Sequence, residues 1–166
     1  DYNIALGYKA LEANVDGSSN VAIGYETLKT FEATSEDDGR NTAVGMQAGR
    51  VVTTGQDNTL LGYRPGYALT TGYSNTIVGA NAGDELLTGI ENVVIGNHAL
   101  TNADNTESRN TAVGYAALYS MDGDTQYTYN VALGYNTGYT MTTGIQNTFL
   151  GAQAAAGGNI TGDNNT

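Results

Sequence analysis

The apolar residues of this chain fall in short runs that recur at nearly constant spacing. Each run opens on Asn, continues with Thr or a β-branched residue and two apolar residues, and closes on Gly. The runs start at Asn3, Asn20, Asn41, Asn58, Asn75, Asn92, Asn110, Asn130 and Asn147. Successive starts lie 17, 21, 17, 17, 17, 18, 20 and 17 residues apart, and Asn165-Thr166 would open a further copy. A unit this short cannot be a helical pair or a propeller blade and cannot bury an apolar face alone, so the copies must stack. The pattern therefore predicts an all-β chain, a parallel β-solenoid or β-roll of about nine coils. Residues 1–166 read as a single array. Without polar end caps, which solenoids use to protect terminal strands, it is expected to be an excerpt of a longer fibre.

Within the run, the second residue is Thr, Val or Ile, the third Ala, Leu, Ile, Val or Phe, and the fourth Val, Ile or Leu. Both faces of such a strand suit burial, as in a parallel sheet. The reading places the second and fourth residues inside the coil and the third outside. The outward row would then include Leu60, Ile77, Val94 and Phe149, a stripe with one apolar residue about every 4.8 Å. Soluble monomers rarely leave such a stripe in water, and a closed ring of like chains would bury it as a chain–chain interface.

The fifth residue is Gly in every copy: Gly7, Gly24, Gly45, Gly62, Gly79, Gly96, Gly114, Gly134 and Gly151. So strict a position implies a corner with positive φ, or a backbone too close to its neighbour for a β-carbon. After it come Tyr in five copies, a mostly polar residue, a small residue, and then Leu or Gly; this alternation suggests a second strand. Tyr is expected to face the core or the seam between chains, with its hydroxyl at the rim; the alternative is an exposed Tyr row that binds sugar. The ninth position separates tight coils with Gly (Gly49, Gly66, Gly83, Gly138) from coils with Leu (Leu11, Leu28, Leu100, Leu118), and the Leu coils carry the insertions. The inserted loops, Glu32 to Arg40, Asn102 to Arg109 and Met121 to Tyr129, leave the stack at one point of the repeat. The second and third should touch, and Asp104, Arg109, Asp122, Asp124 and Tyr127 are the candidate receptor-binding residues.

Seventeen acidic against six basic residues give a formal charge of −11, and Lys and Arg form no cluster, which excludes a nucleic-acid partner. No apolar run approaches the roughly 18 residues of a membrane helix, so membrane insertion is not expected. Cysteine is absent, ruling out disulfide staples and thiolate chemistry.

Copies such as Asn41-Thr42-Ala43-Val44-Gly45-Met46-Gln47-Ala48-Gly49 and Asn110-Thr111-Ala112-Val113-Gly114-Tyr115-Ala116-Ala117-Leu118 resemble repeats of bacteriophage tail fibres. They are more distantly similar to the Ser-Val-Ala-Ile-Gly repeat of trimeric autotransporter adhesin heads, which are left-handed parallel β-rolls of three chains. The resemblance covers essentially the whole chain. It implies a homotrimer, an extracellular place on a virion or cell-surface appendage, and host attachment through a cell-surface glycan or protein receptor. The adhesin repeat is shorter, and its motif carries a small alanine near the inter-chain surface where this chain has Leu60, Ile77, Val94 and Phe149.

Reactive chemistry is sparse. His98, the one histidine, takes a position held elsewhere by Lys9, Glu26, Gln47, Arg64 and Asn81, which reads as exposed surface rather than catalysis. The acidic clusters Glu36-Asp37-Asp38 and Asp122-Gly123-Asp124 lack calcium-loop spacing and read as solvated charge. No catalytic residue, cofactor or metal is expected. The row Asn20, Asn41, Asn58, Asn75, Asn92, Asn110, Asn130 and Asn147 is expected to form an internal ladder of stacked amides. The leading function is a structural or adhesive fibre segment. The alternatives are a glycan-cleaving fibre domain, which needs paired carboxylates across a groove, and an ice-binding solenoid suggested by Thr53, Thr70, Thr88 and Thr142.

Overall fold

The computed structural model describes residues 2–33, 35, 39–102, 106–121, 127–158 and 160–166. Each repeat contributes one three-residue strand: β1 (Ile4–Leu6), β2 (Val21–Ile23), β3 (Thr42–Val44), β4 (Thr59–Leu61), β5 (Thr76–Val78), β6 (Val93–Ile95), β7 (Thr111–Val113), β8 (Val131–Leu133) and β9 (Thr148–Leu150). The nine strands form one parallel sheet in sequence order, each residue paired with its counterpart in the next repeat, as Leu60 with Ile77. The fold is a parallel β-solenoid, with no helix among the described residues. At strand spacing the stack extends on the order of 40 Å.

The sheet is only one side of the coil. The segment after the corner glycine is a series of turns and not the second strand that the alternation suggests. Its seventh and ninth residues take left-handed backbone conformations, as at Gln47 (φ 57°), His98 (57°), Leu28 (47°) and Gly66 (55°), and a strand cannot contain these. The turns are still stitched between coils. The seventh residue's N–H donates to the sixth carbonyl of the preceding coil, as from Arg64 to Met46 at 2.9 Å. The ninth donates to the eighth carbonyl of the following coil, as from Gly66 to Ala82 at 2.9 Å. Buried backbone groups are thus paired without a second sheet.

The strand faces are also reversed from the expectation. The third residues point into the coil: Ala22, Ala43, Leu60, Ile77, Val94, Ala112 and Ala132 are completely buried, and Phe149 is half-buried in the last coil. The second and fourth residues face out, with Leu61 48% exposed and Ile95 38% exposed. The core is completed by the small eighth residues, by Leu28, Leu100 and Leu118 at the ninth position, and by Phe31, Val52, Leu69, Leu86, Met121 and Met141 three residues further on.

Volume decides this orientation. Wherever the ninth residue is Leu, the third residue of the next coil is Ala: Leu11 with Ala22, Leu28 with Ala43, Leu100 with Ala112, Leu118 with Ala132. Wherever it is Gly, the next third residue is large: Gly49 with Leu60, Gly66 with Ile77, Gly83 with Val94, Gly138 with Phe149. A β-carbon on Gly49 would lie 2.5 Å from Leu60 Cδ1, and one on Gly138 would lie 2.8 Å from Leu118 Cδ2 and 3.3 Å from Phe149 Cδ2. The two positions share one space, and their summed volume is held roughly constant, as a close-packed interior requires.

The corner glycines from Gly7 to Gly134 have φ between 131° and 142°, a region essentially closed to other residues. A β-carbon on any of them would collide with the carbonyl of the corner glycine one coil along. Both reasons for glycine apply at once.

Candidate functional site

The opening asparagines sit inside the coil as a continuous column. Asn58 is 1% exposed; its N–H and Nδ2 donate to Asn41 Oδ1 at 3.0 and 3.1 Å, and Nδ2 also donates to the Gly72 carbonyl at 2.9 Å. Asn20, Asn41, Asn75, Asn92 and Asn110 repeat the amide-to-amide contact, and Asn130, Asn147 and Asn165 continue the main-chain bond to the preceding Oδ1 at 2.9 Å. Their amide groups are consumed internally and present nothing to a ligand.

Among the proposed interface residues, Leu60, Ile77 and Val94 lie fully inside the coil and Phe149 packs against the core, so none forms an outward seam. What the stack turns outward is the second row (Ile4, Val21, Thr42, Thr59, Thr76, Val93, Thr111, Val131, Thr148) and the fourth (Leu6, Ile23, Val44, Leu61, Val78, Ile95, Val113, Leu133, Leu150). No charged residue occurs in either row, although the chain has 23 Asp, Glu, Lys and Arg, the sum of 17 and six. The sixth-position tyrosines also face solvent and not the core: Tyr8, Tyr25, Tyr63, Tyr115 and Tyr135 are between 45% and 61% exposed.

Of the candidate receptor-binding residues, Asp104, Asp122 and Asp124 lie outside the described residues, as does the acidic cluster Glu36-Asp37-Asp38. Arg109 and Tyr127 are brought together where the second and third loops close, at the parallel bridge between Ser108 and Tyr127. The Arg109 guanidinium lies 4.3 Å from the Tyr127 ring centre, donates to Glu91 Oε2 at 2.6 Å, and donates to the Tyr129 hydroxyl at 2.7 Å. This fixes the rim of three successive coils through one side chain. The hydroxyls of Thr53 and Thr70 are directed to the carbonyls of Thr70 and Leu87.

The surface between the seventh and tenth positions is more informative. In the first five coils it holds ion pairs: Lys9 with Glu12 at 2.9 Å, Glu26 with Lys29 at 2.9 Å and with Arg50 at 2.8 Å, and Arg64 with Asp84 at 3.6 Å. Hydrogen bonds from Arg50, then Lys29 and Gln47, hold the Glu26 carboxyl down at about 2, from an ordinary 4.5. Burial pushes the Asp84 carboxyl up, against the opposing pull of Arg64 and His98. In the next three coils the charges give way to aromatics. The seventh residues become His98, Ala116 and Asn136, and the tenth become Thr101, Tyr119 and Tyr139. Because Ala116 has no side chain long enough to cross the gap, a cleft of about 300 Å³ opens, lined by His98, Tyr115, Ala116, Tyr119, Tyr135, Asn136 and Tyr139. His98 is half-buried there, edge-on to Tyr115 and Tyr119 at 6.4 and 6.3 Å, and is not a simple surface residue. Sequence reasoning missed this site, whose signal was the coincidence of Tyr at the sixth and tenth positions of two successive coils around one Ala.

Among the described residues no group of three or more His, Asp or Glu is placed to hold a metal ion. No family model matches the chain, and no curated protein or solved structure is significantly similar to it.

Proposed function

We propose that this chain is a structural and adhesive segment of an extracellular or virion fibre, without catalytic activity, in which identical chains associate side by side through the outward face of the sheet. The observation that carries the reading is the charge-free face of β1–β9, where Val, Ile or Leu occupies the fourth position of every coil. Three residues wide and nine coils long, the strand face covers roughly 10 by 40 Å. That area, on the order of 400 Å², ranks with the largest apolar patches monomers leave bare. The matching chemistry for such a face is its own copy, because the coil spacing of two parallel rods is the same and one row of side chains can seat between the rows of another. Closed symmetry stops the association at a finite number. The resemblance to trimeric fibres makes that number three, and it also supplies the fibre context and the surface receptor.

Sedimentation equilibrium tests the association. A mass three times the 17.3 kDa chain is expected, falling to the monomer in the double variant Leu61→Asp/Ile95→Asp while the circular dichroism spectrum is retained. A monomeric parent at micromolar concentration, or a double variant that stays associated, would refute it.

A further inference from the structure

We propose that the cleft over Ala116 is a binding site for a neutral saccharide. The site lies beyond the corner glycines Gly114 and Gly134, off the strand face used for association, so the inference stands independently of that reading.

Its walls are two columns of tyrosines. Tyr115 and Tyr135 stack with ring centres 5.4 Å apart and 17° between planes; Tyr119 and Tyr139 stack at 4.9 Å and 4°. The rings remain accessible: Tyr115 and Tyr135 are 48% and 52% exposed, and Tyr119 and Tyr139 are half-buried. The last ring of each column is more open still, because the corresponding residues of the next coil are only Ala152 and Ala156. The ends of the cleft are polar. His98 and Asn136 are half-buried there; His98 Nδ1 and Asn136 Oδ1 are turned away from water and lack a hydrogen-bond partner among the described residues, as does Asn81 Oδ1 at the equivalent position, so rotation of either side chain toward the cleft would let it pair with a ligand hydroxyl.

Apolar ring surface beside hydroxyl, amide and imidazole groups selects a ligand that presents a CH face and hydroxyls together, as a hexopyranose does. No Lys or Arg lines the cleft. With the net charge of −11, this disfavours phosphates and other anions. The volume suits one or two sugar rings, at the small end of ligand pockets. In the first five coils the same surface holds ion pairs and in the last it carries Ala152, Gln153 and Ala156, which makes the cleft a local feature of three coils and not a property of the repeat.

The single histidine makes the test direct, since its imidazole carbon–proton resonance in a labelled sample reports on this site alone. The probes are cellobiose, maltose, lactose, chitobiose and methyl α-mannoside. At least one is expected to shift the His98 signal saturably, with a dissociation constant on the order of millimolar. Tyr139→Ala should weaken that binding about tenfold, and Tyr8→Ala, in the stacked pair with Tyr25 at the other end of the rod, should leave it unchanged. Ala116→Gln should abolish it by closing the cleft. That backbone site already accepts Gln, since Gln47 and Gln153 occupy the equivalent position with φ of 57° and 59°. A panel that leaves His98 unmoved overturns the proposal, as does a shift that persists in Ala116→Gln. Neither result bears on the mass of the assembly.

Discussion

The shared space of the ninth and third positions can be tested by exchanging one coil junction for the other type. Leu60→Ala removes a fully buried side chain and should cost about 2–5 kcal/mol. Gly49→Leu places a β-carbon on a residue with φ 56°, for about 1–2 kcal/mol, and drives it against Leu60 Cδ1, only 2.5 Å from the ideal β-carbon. Overfilling adds about 1–3 kcal/mol. If the sites were independent, the double variant would lose the sum. It should instead rebuild the arrangement of Leu28 with Ala43 and retain only the backbone penalty. That penalty is one Leu28, Leu100 and Leu118 already bear, at φ of 46–51°. Urea titration followed by far-ultraviolet circular dichroism supplies the four stabilities of the cycle. The expected coupling is at least about 3 kcal/mol in favour of the double variant, at or above the upper end for side chains in contact. A double variant that matches the sum of the single changes to within about 0.5 kcal/mol would refute the reasoning.

Other perturbations address the remaining framework. Gly62→Val should destabilise by more than about 3 kcal/mol, since the corner conformation and the collision with Gly79 both oppose it; Gln47→Ala, which removes one half-buried hydrogen bond to Glu26 at 3.0 Å, should lower the same urea midpoint far less. Asn75→Asp replaces an amide that donates to Asn58 Oδ1 at 3.1 Å and to the Gly89 carbonyl at 2.8 Å with a carboxylate that cannot donate. The charged form is disfavoured in the fold, so its melting temperature should lie far below the parent's at neutral pH and recover partly on acidification; a constant deficit counts against the ladder. Glu26 behaves in the opposite sense. Its folded value is depressed to about 2 from 4.5, so its contribution is fully present above about 4.5 and lost as pH falls through about 2. The gap in melting temperature between the parent and Glu26→Gln should therefore close over that window, and a gap independent of pH would show that the ion pairs contribute nothing.

The repeat, the parallel stacking, the buried asparagines and the corner glycines were readable because each is repeated nine times with one residue type. Which face of the strand turns inward was not readable from the strand itself. With Val, Ile and Leu at both the third and fourth positions, a three-residue strand has no polar side to orient it. The deciding information lay 11 to 15 residues upstream, in the turn of the preceding coil, in the reciprocal sizes of residues such as Leu118 and Ala132. The second strand was a false expectation for a related reason. Polar and apolar residues alternate there, but so do right- and left-handed turns, and residues such as Arg64, His98 and Leu28 carry no sign of positive φ in their chemistry. The tyrosine cleft was hidden because its cause is a missing side chain at Ala116, which a scan for reactive groups passes over.

The reciprocity at the core also sets a grammar for rearranging the array. A coil can be removed without penalty only when the residue left behind and the residue that arrives are compatible. Excising residues 58–74 would bring Gly49 against Ile77, a pairing of the kind already present at Gly66. Excising residues 41–57 would bring Leu28 against Leu60, two large side chains in a space built for one, and excising residues 92–109 would leave Gly83 facing Ala112 across a void. Units that look interchangeable by length and motif are thus of two kinds, and their permitted neighbours restrict how such a rod can be shortened, lengthened or recombined.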